Sequence, residues 1–257
     1  MKKIIHFSDL HIGYKNLGDR FQIIVENLVV VKQPASDYVI LITGDLVDDA
    51  TVPSNYSLAH RSIEKLEREG YEVLVIPGNH DYGTGADASR DFVARFKQEF
   101  YGTLNVVYPK VDVIGSIAFL GLDSMAEEVN WYDQLGAEGE LGEAQLKRLG
   151  ERLKDDHVRA CEKRVVYLHH HPFDPRFVHE LKDAKKLEAV LKENGNVDAL
   201  LYGHNHEGKK RNGLWKIPRC YDAGSSTRKN DAPGDHRVID LTRDARLDYD
   251  GDFHGNL

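Results

Sequence analysis

The chain has 257 residues, 41% hydrophobic and 30% charged, with a formal net charge of −8 and two cysteines. That length suits one large α/β domain or two small ones and can bury roughly 70–75% of the unfolded surface. The acidity excludes a protein that grips duplex nucleic acid mainly by neutralising phosphates, although a local basic groove stays open.

The first apolar run, "KKIIHF", follows two lysines as a signal peptide would. Ser8, Asp9 and His11 break it well short of a usable hydrophobic region, so a cytoplasmic protein is expected. Cys161 and Cys220 form no CxxC pair, which agrees with a reducing compartment. No segment approaches the ~18–20 apolar residues of a membrane span. After the first run, Phe21, Ile24, Val25 and Leu28 make a helical face that stops before Pro34. The run "YVILIT" is next, then a weaker stripe of Leu58, Ile63 and Leu66 with Gly70 placed to end that helix. "YEVLVIP" follows, and Phe92, Phe96 and Phe100 line a third helix. "VDVIGSIAFLGLDS" has no room for a helix and reads as a hairpin turning at Gly115-Ser116. Leu146, Leu149 and Leu153, then "RVVYLH", then Leu187, Val190 and Leu191, then "VDALLY" resume the alternation. The tail, with "RNGLW" and "HRVIDL", reads as further hairpin, Asn-Gly being a strong turn signal. Strand alternating with helix implies a largely parallel core sheet with helices on both faces and antiparallel strands at its edges. With no repeat or linker, residues 1–257 are expected to form a single domain.

Each of the five core runs ends on groups that can hold a metal. The endings are Asp9-Leu10-His11, Gly44-Asp45, Gly78-Asn79-His80-Asp81, His169-His170-His171-Pro172 and Gly203-His204-Asn205-His206. The carboxyl ends of parallel strands converge on one crevice. A lone His after a strand is usually structural, but five such endings in succession point to a metal site. Carboxylate, amide and imidazole donors without thiolate suit Zn, Mn, Fe, Co or Ni. Seven or more donors are too many for one ion and about right for two that share a carboxylate, the device that polarises a phosphate and activates water.

These blocks resemble the calcineurin-like metallophosphoesterases, whose pattern runs D-x-H, G-D, G-N-H-[DE], H-x-P and G-H-x-H. All five occur here in order between residues 9 and 206, and "DAGSSTR" looks like the family's last core block. The resemblance implies a mixed β-sheet sandwich flanked by helices, two divalent transition metal ions (Mn, Fe or Zn) and a metal-bridging hydroxide as nucleophile. It also implies Asp9, His11 and His206 on one ion, Asn79, His170 and His204 on the other, and Asp45 on both. His80 would stabilise the phosphoryl oxygens and protonate the leaving group, with Asp81 orienting it. The H-x-P spacing selects His170, but strand alternation does not separate it from His169.

The length and "LDS" followed by "GEAQLKRL" resemble the bacterial cyclic-nucleotide phosphodiesterase branch, so a small phosphodiester or nucleotide is the expected substrate. Two rivals remain open. "SDLHIG" resembles repair exonucleases, which usually carry capping domains not found in this sequence, and a binding scaffold would keep the fold without the chemistry. A protein phosphatase is disfavoured, since no basic groove for phosphopeptides stands out. Residues 124–141, with Trp131 and Tyr132, read equally as a base-stacking lid or as a surface loop. Lys209-Lys210-Arg211 is a solvated hairpin more readily than a polyanion grip. His6 is expected to be a satisfied core residue. Duplex nucleic acid is not an expected partner; a homodimer is allowed.

Overall fold

The computed structural model describes residues 1–30, 34–84, 89–125, 138–174, 181–227 and 236–251. In chain order the main elements are β1 (Lys3–Phe7), α1 (Leu17–Val30), β2 (Tyr38–Thr43), α2 (Pro53–Arg68), β3 (Glu72–Ile76), α3 (Arg90–Tyr101), β4 (Lys110–Ile114) and β5 (Ile117–Gly121). They continue with α4 (Glu143–Lys154), α5 (Asp156–Arg159), β6 (Lys163–Tyr167), α6 (Ala184–Asn194), β7 (Ala199–Tyr202), β8 (Lys210–Arg211), β9 (Arg219–Asp222), β10 (His236–Ile239) and β11 (Tyr249–Gly251).

Among the described residues the strands form two sheets, ordered β11-β10-β1-β2-β3 and β4-β5-β6-β7-β9-β8. The single parallel sheet with helices on both faces expected from periodicity is therefore split into the sandwich that the resemblance implied: β1, β2 and β3 run parallel in one sheet, and β5, β6, β7 and β9 run parallel in the other. Antiparallel strands do sit at the edges. β4 and β5 form the expected hairpin, β8 returns along β9, and β10 lies antiparallel to β1.

Three buried clusters define four layers. Ile4, Val39, Leu41 and Leu74 pack against Phe119, Val165, Tyr167 and Leu201 between the sheets. Ile5, Phe7, Ile40 and Ile42 face the other way, onto Phe21, Ile24, Val25 and Leu28 of α1 and Tyr56, Ile63 and Leu66 of α2. Leu120, Val166, Leu200 and Tyr202 face Leu146, Leu149 and Leu153 of α4 and Leu187 and Leu191 of α6. Alternate residues of each strand thus meet either the opposite sheet or the helices, both apolar. That is why these strands read as continuous hydrophobic runs. Gly70 follows α2 with φ +93°, its N–H on the Glu67 carbonyl at 2.9 Å, as the C-terminal signal required.

Candidate metal centre

The loops after β1, β2 and β3 are stitched to one another by their backbones. Asp9 N–H donates to the Gly44 carbonyl at 3.1 Å, His11 N–H to Asp45 at 3.0 Å, Ile12 N–H to Leu46 at 3.0 Å, and Asp48 N–H back to Ile12 at 3.0 Å. The "GSST" segment crosses the first loop. Ser226 N–H reaches the Ser8 carbonyl at 3.0 Å, Ser225 Oγ the Asp9 carbonyl at 2.8 Å, and Thr227 Oγ1 the Leu10 carbonyl at 2.8 Å. Strain concentrates here: Asp9, His11, Asp45, His204 and His206 are five of the nine described non-glycine residues with positive φ. Each such residue costs of order 1–3 kcal/mol unless its surroundings over-determine it, and such sites are typically functional. Gly78 and Gly203 allow the close approach, since a Cβ at 78 would overlap Asp45 Oδ1 and one at 203 would overlap Ser8 Oγ and Asp9 Oδ2.

The donors converge around Asp9 and Asp45, both buried. His206 Nε2 lies 3.0 Å from Asp9 Oδ1 and 3.2 Å from His11 Nε2, which is 3.8 Å from Asp45 Oδ2. On the other side His169 Nε2 lies 3.4 Å from Asp45 Oδ2, 3.0 Å from Asn79 Oδ1 and 3.2 Å from His204 Nδ1. Three groupings of potential ligand atoms result: Asp9 with His11 and His206, His11 with Asp45 and His80, and Asp9 with Asp45 and His169. Ligands ~2.1 Å from one ion sit roughly 3–3.5 Å apart, so these separations fit shared cations.

The electrostatics agree. Burial opposes the charge on Asp9, but His206 and then His169 hold its carboxyl below the usual range. Asp45 is held well below that range against the same penalty by His169, His80 and His11. Burial likewise opposes charge on His169, yet Asp45 and Asp9 push its imidazole up to about 9. Two buried carboxylates ringed by imidazoles, without thiolate, are a donor set for divalent transition ions.

Two expectations change. The H-x-P spacing selected His170, whereas the imidazole facing Asp45 and Asn79 is that of His169, whose Nδ1–H donates to the Thr43 carbonyl at 2.8 Å. His170 Nδ1 is instead 2.8 Å from Ser124 Oγ. The reason is pleat: Val165 and Tyr167 point between the sheets and Val166 and Leu168 point outward, so 169 continues the inner row and 170 the outer. Asp81, expected to orient His80, accepts N–H donors from Gly78 at 2.9 Å, Val47 at 3.1 Å and Leu46 at 3.2 Å. It braces the two loops. Burial, with Asp45 adding to it, pushes its carboxyl up to about 7 against those donors.

His80 is oriented by Asp48, whose carbonyl lies 2.6 Å from His80 Nδ1. A carbonyl only accepts, so Nδ1 carries the proton. The Asp48 carboxylate also lies 3.2 Å from His11 Nδ1. Sequence reasoning missed Asp48, because it holds His80 through its main-chain carbonyl, which no side-chain pattern signals. His6 is a fully buried core residue, its Nε2 3.0 Å from Thr43 Oγ1. Arg211 faces His171 Nε2 at 2.8 Å and Glu207 at 3.5 Å, so it belongs to an internal cluster. Trp131, Tyr132 and Arg176 lie outside the described residues. No described helix is long and apolar enough to cross a membrane.

Comparison with known proteins gives the same outline. Residues 2–208 match the calcineurin-like phosphoesterase family model. The 3',5'-cyclic adenosine monophosphate phosphodiesterase CpdA of Haemophilus influenzae is 32% identical over 174 residues, covering 66% of this chain and 54% of that one. A DNA double-strand break repair protein of Thermoplasma acidophilum is 26% identical over 224 residues, covering 80% and 52%. The chain thus spans about half the length of these curated relatives. A dimetal phosphatase from Danio rerio superposes with a TM-score of 0.68 over 93% of this chain and 92% of its own, at 13% identity, a likeness of fold. A family match that spans all five strand-end blocks, on a fold that gathers their side chains, means that the chain belongs to the calcineurin-like phosphoesterase family.

Proposed function

We propose that the protein is a two-metal phosphodiesterase acting on small, nucleotide-like phosphodiesters, with residues 1–257 as one catalytic domain. The observation that carries this reading is the position of Asp45, within 3.8 Å of His11 on one side and 3.4 Å of His169 on the other. Asp9, His11 and His206 would hold one ion, Asn79, His169 and His204 the second, and Asp45 both. Mn, Fe or Zn suits these donors, with Mn²⁺ the best activator. Two such cations polarise the phosphoryl oxygens and make a nucleophile available from water at neutral pH.

The protein's own part is orientation and proton delivery. Asp48 fixes the tautomer and direction of His80. Burial works against a charged His80, but Asp45 and then Asp48 raise its pKa, which favours the protonated imidazole that a leaving oxygen needs. Asp81 holds the turn that carries it.

The diester preference rests on charge. Among the described residues, the groups acting most on Asp9 and Asp45 are histidines, with Asp45 also acting on Asp9, and neither arginine nor lysine is among them. A monoester dianion usually demands arginine partners, whereas a diester carries a single charge. The similarity to a cyclic-AMP phosphodiesterase points the same way, and cyclic nucleotides are the physiological substrates proposed. The setting proposed is the cytoplasm, with a homodimer compatible and duplex DNA not a partner. A nuclease is the second reading, favoured by the DNA-repair relative that covers 80% of the chain. One substrate panel at matched Mn²⁺ and salt decides between them. Bis-p-nitrophenyl phosphate should show higher kcat/KM than p-nitrophenyl phosphate, with cyclic nucleotides turned over and DNA cut poorly. Monoester preference rejects the diesterase, and efficient DNA degradation promotes the nuclease.

A further inference from the structure

We propose that Ser124 and His170 form a positioning pair that holds His204 in place for the second ion; this rests on the two-metal reading above. His170 is the histidine that the ligand set leaves over. It is fully buried, and its ring lies 4.4 Å from the His204 ring, centroid to centroid, tilted by 44°. Ser124, also fully buried, follows the end of β5. Its Oγ accepts the His170 backbone N–H at 3.3 Å and lies 2.8 Å from His170 Nδ1. The hydroxyl thus grips both the backbone and the ring of His170, which fixes the ring plane. Gly139 lies against the same ring, and a Cβ there would overlap His170 Cγ and Nδ1. The imidazole is therefore confined by Ser124, Gly139 and His204.

His204 needs such a wall. It is only partly buried and its backbone has a φ of +73°. Its N–H is tied to Asp9 Oδ2 at 3.0 Å, and its Nδ1 points to His169 Nε2 at 3.2 Å. A partly exposed ligand loses rotamer freedom when it binds a cation, and neighbours that hold the ring beforehand remove that cost. Ser124 and His170 thereby link the end of β5 to a residue of the proposed second ion site on the loop after β7.

The test is calorimetric titration of the metal-stripped full-length chain with Mn²⁺, alongside metal-free thermal denaturation. Ser124→Ala and Gly139→Ala attack the ring from different neighbours, and Ser124→Thr restores the hydroxyl. His206→Ala marks which binding step belongs to the other ion. The expected result is that both variants fold and bind the ion retained by His206→Ala about 10–100-fold more weakly, as loss of a supporting contact does. The other step should be unchanged, and Ser124→Thr should return towards wild type. Folded Ser124→Ala and Gly139→Ala proteins with two wild-type affinities would overturn the pair while leaving the two-metal reading intact. Equal weakening of both steps would overturn it too, as a general structural effect. A wild-type chain that binds fewer than two ions refutes the two-metal reading, and the pair with it. If Ser124→Ala fails to fold, Gly139→Ala decides alone.

Discussion

The two sheets contribute to the centre by different means. On the first sheet, adjacent parallel strands deliver Asp9, His11, Asp45 and Asn79 through loops whose backbones bond to each other, and all four side chains are buried. On the second, His169 sits at the end of β6, while His204 and His206 follow β7 on a loop where 204 is partly buried and 206 reaches the surface. Support for that side comes from elsewhere: Thr43 of the first sheet takes the His169 proton, and Asp9 takes the His204 N–H. The first sheet's donors are tied to one another, whereas those of the second sheet are tied in part to the first. Asp45 is where they meet.

Breaking that meeting point should have the largest effect. Asp45→Asn is expected to lose both ions and more than about 10⁴-fold in kcat, beyond the upper end of what general acid help is worth; elemental analysis with kinetics on bis-p-nitrophenyl phosphate checks it. His80→Ala leaves the first sheet's donors in place, so both metals should stay while kcat falls about 10²–10⁴-fold. The loss should shrink as the leaving group improves, and a variant that instead loses metal would make His80 a ligand. The second sheet is sharpened by comparing neighbours. His169→Ala should reduce the metal stoichiometry from two to one, whereas His170→Ala should retain two sites with one weakened. The opposite pattern would restore the assignment drawn from the H-x-P spacing.

The smallest effect is one of pH. His169 has a folded pKa of about 9 against 6.5 for the free side chain. A raised folded value contributes stability that is fully present below 6.5 and lost as pH rises towards 9, with a ceiling of order 3 kcal/mol. Asp9 and Asp45 are lowered, so their contribution is present above the ordinary carboxylate range and lost as pH falls through their depressed values. The metal-free protein should therefore have a lower Tm at pH 9 than at pH 6, and divalent ions should raise Tm more at pH 9, where proton competition is weaker. A flat metal-free profile between those values would mean that His169 and the carboxylates are not coupled as the geometry implies.

The amino-acid sequence determined the site's composition. Five strands ending on Asp, Asn or His could be read in order because metal ligation demands particular side chains, whatever the packing around them. It also determined the helix faces, as Phe21, Ile24, Val25 and Leu28 bear out by being buried together. Hydrophobic periodicity did not give the number of sheets; the motifs implied a sandwich only by resemblance, and tertiary packing decided it. A strand with helices on one face and a second sheet on the other is apolar on both, so its sequence carries no phase. The same missing phase hid which of His169 and His170 points inward, a choice that became readable once Val165 and Tyr167 were seen facing the opposite sheet. Asp48, unmarked in the sequence, took the part expected of Asp81 for a related reason. A backbone carbonyl holds His80, and backbone amides occupy the Asp81 carboxylate. Main-chain partners are the same for every residue type, so no side-chain pattern could announce them.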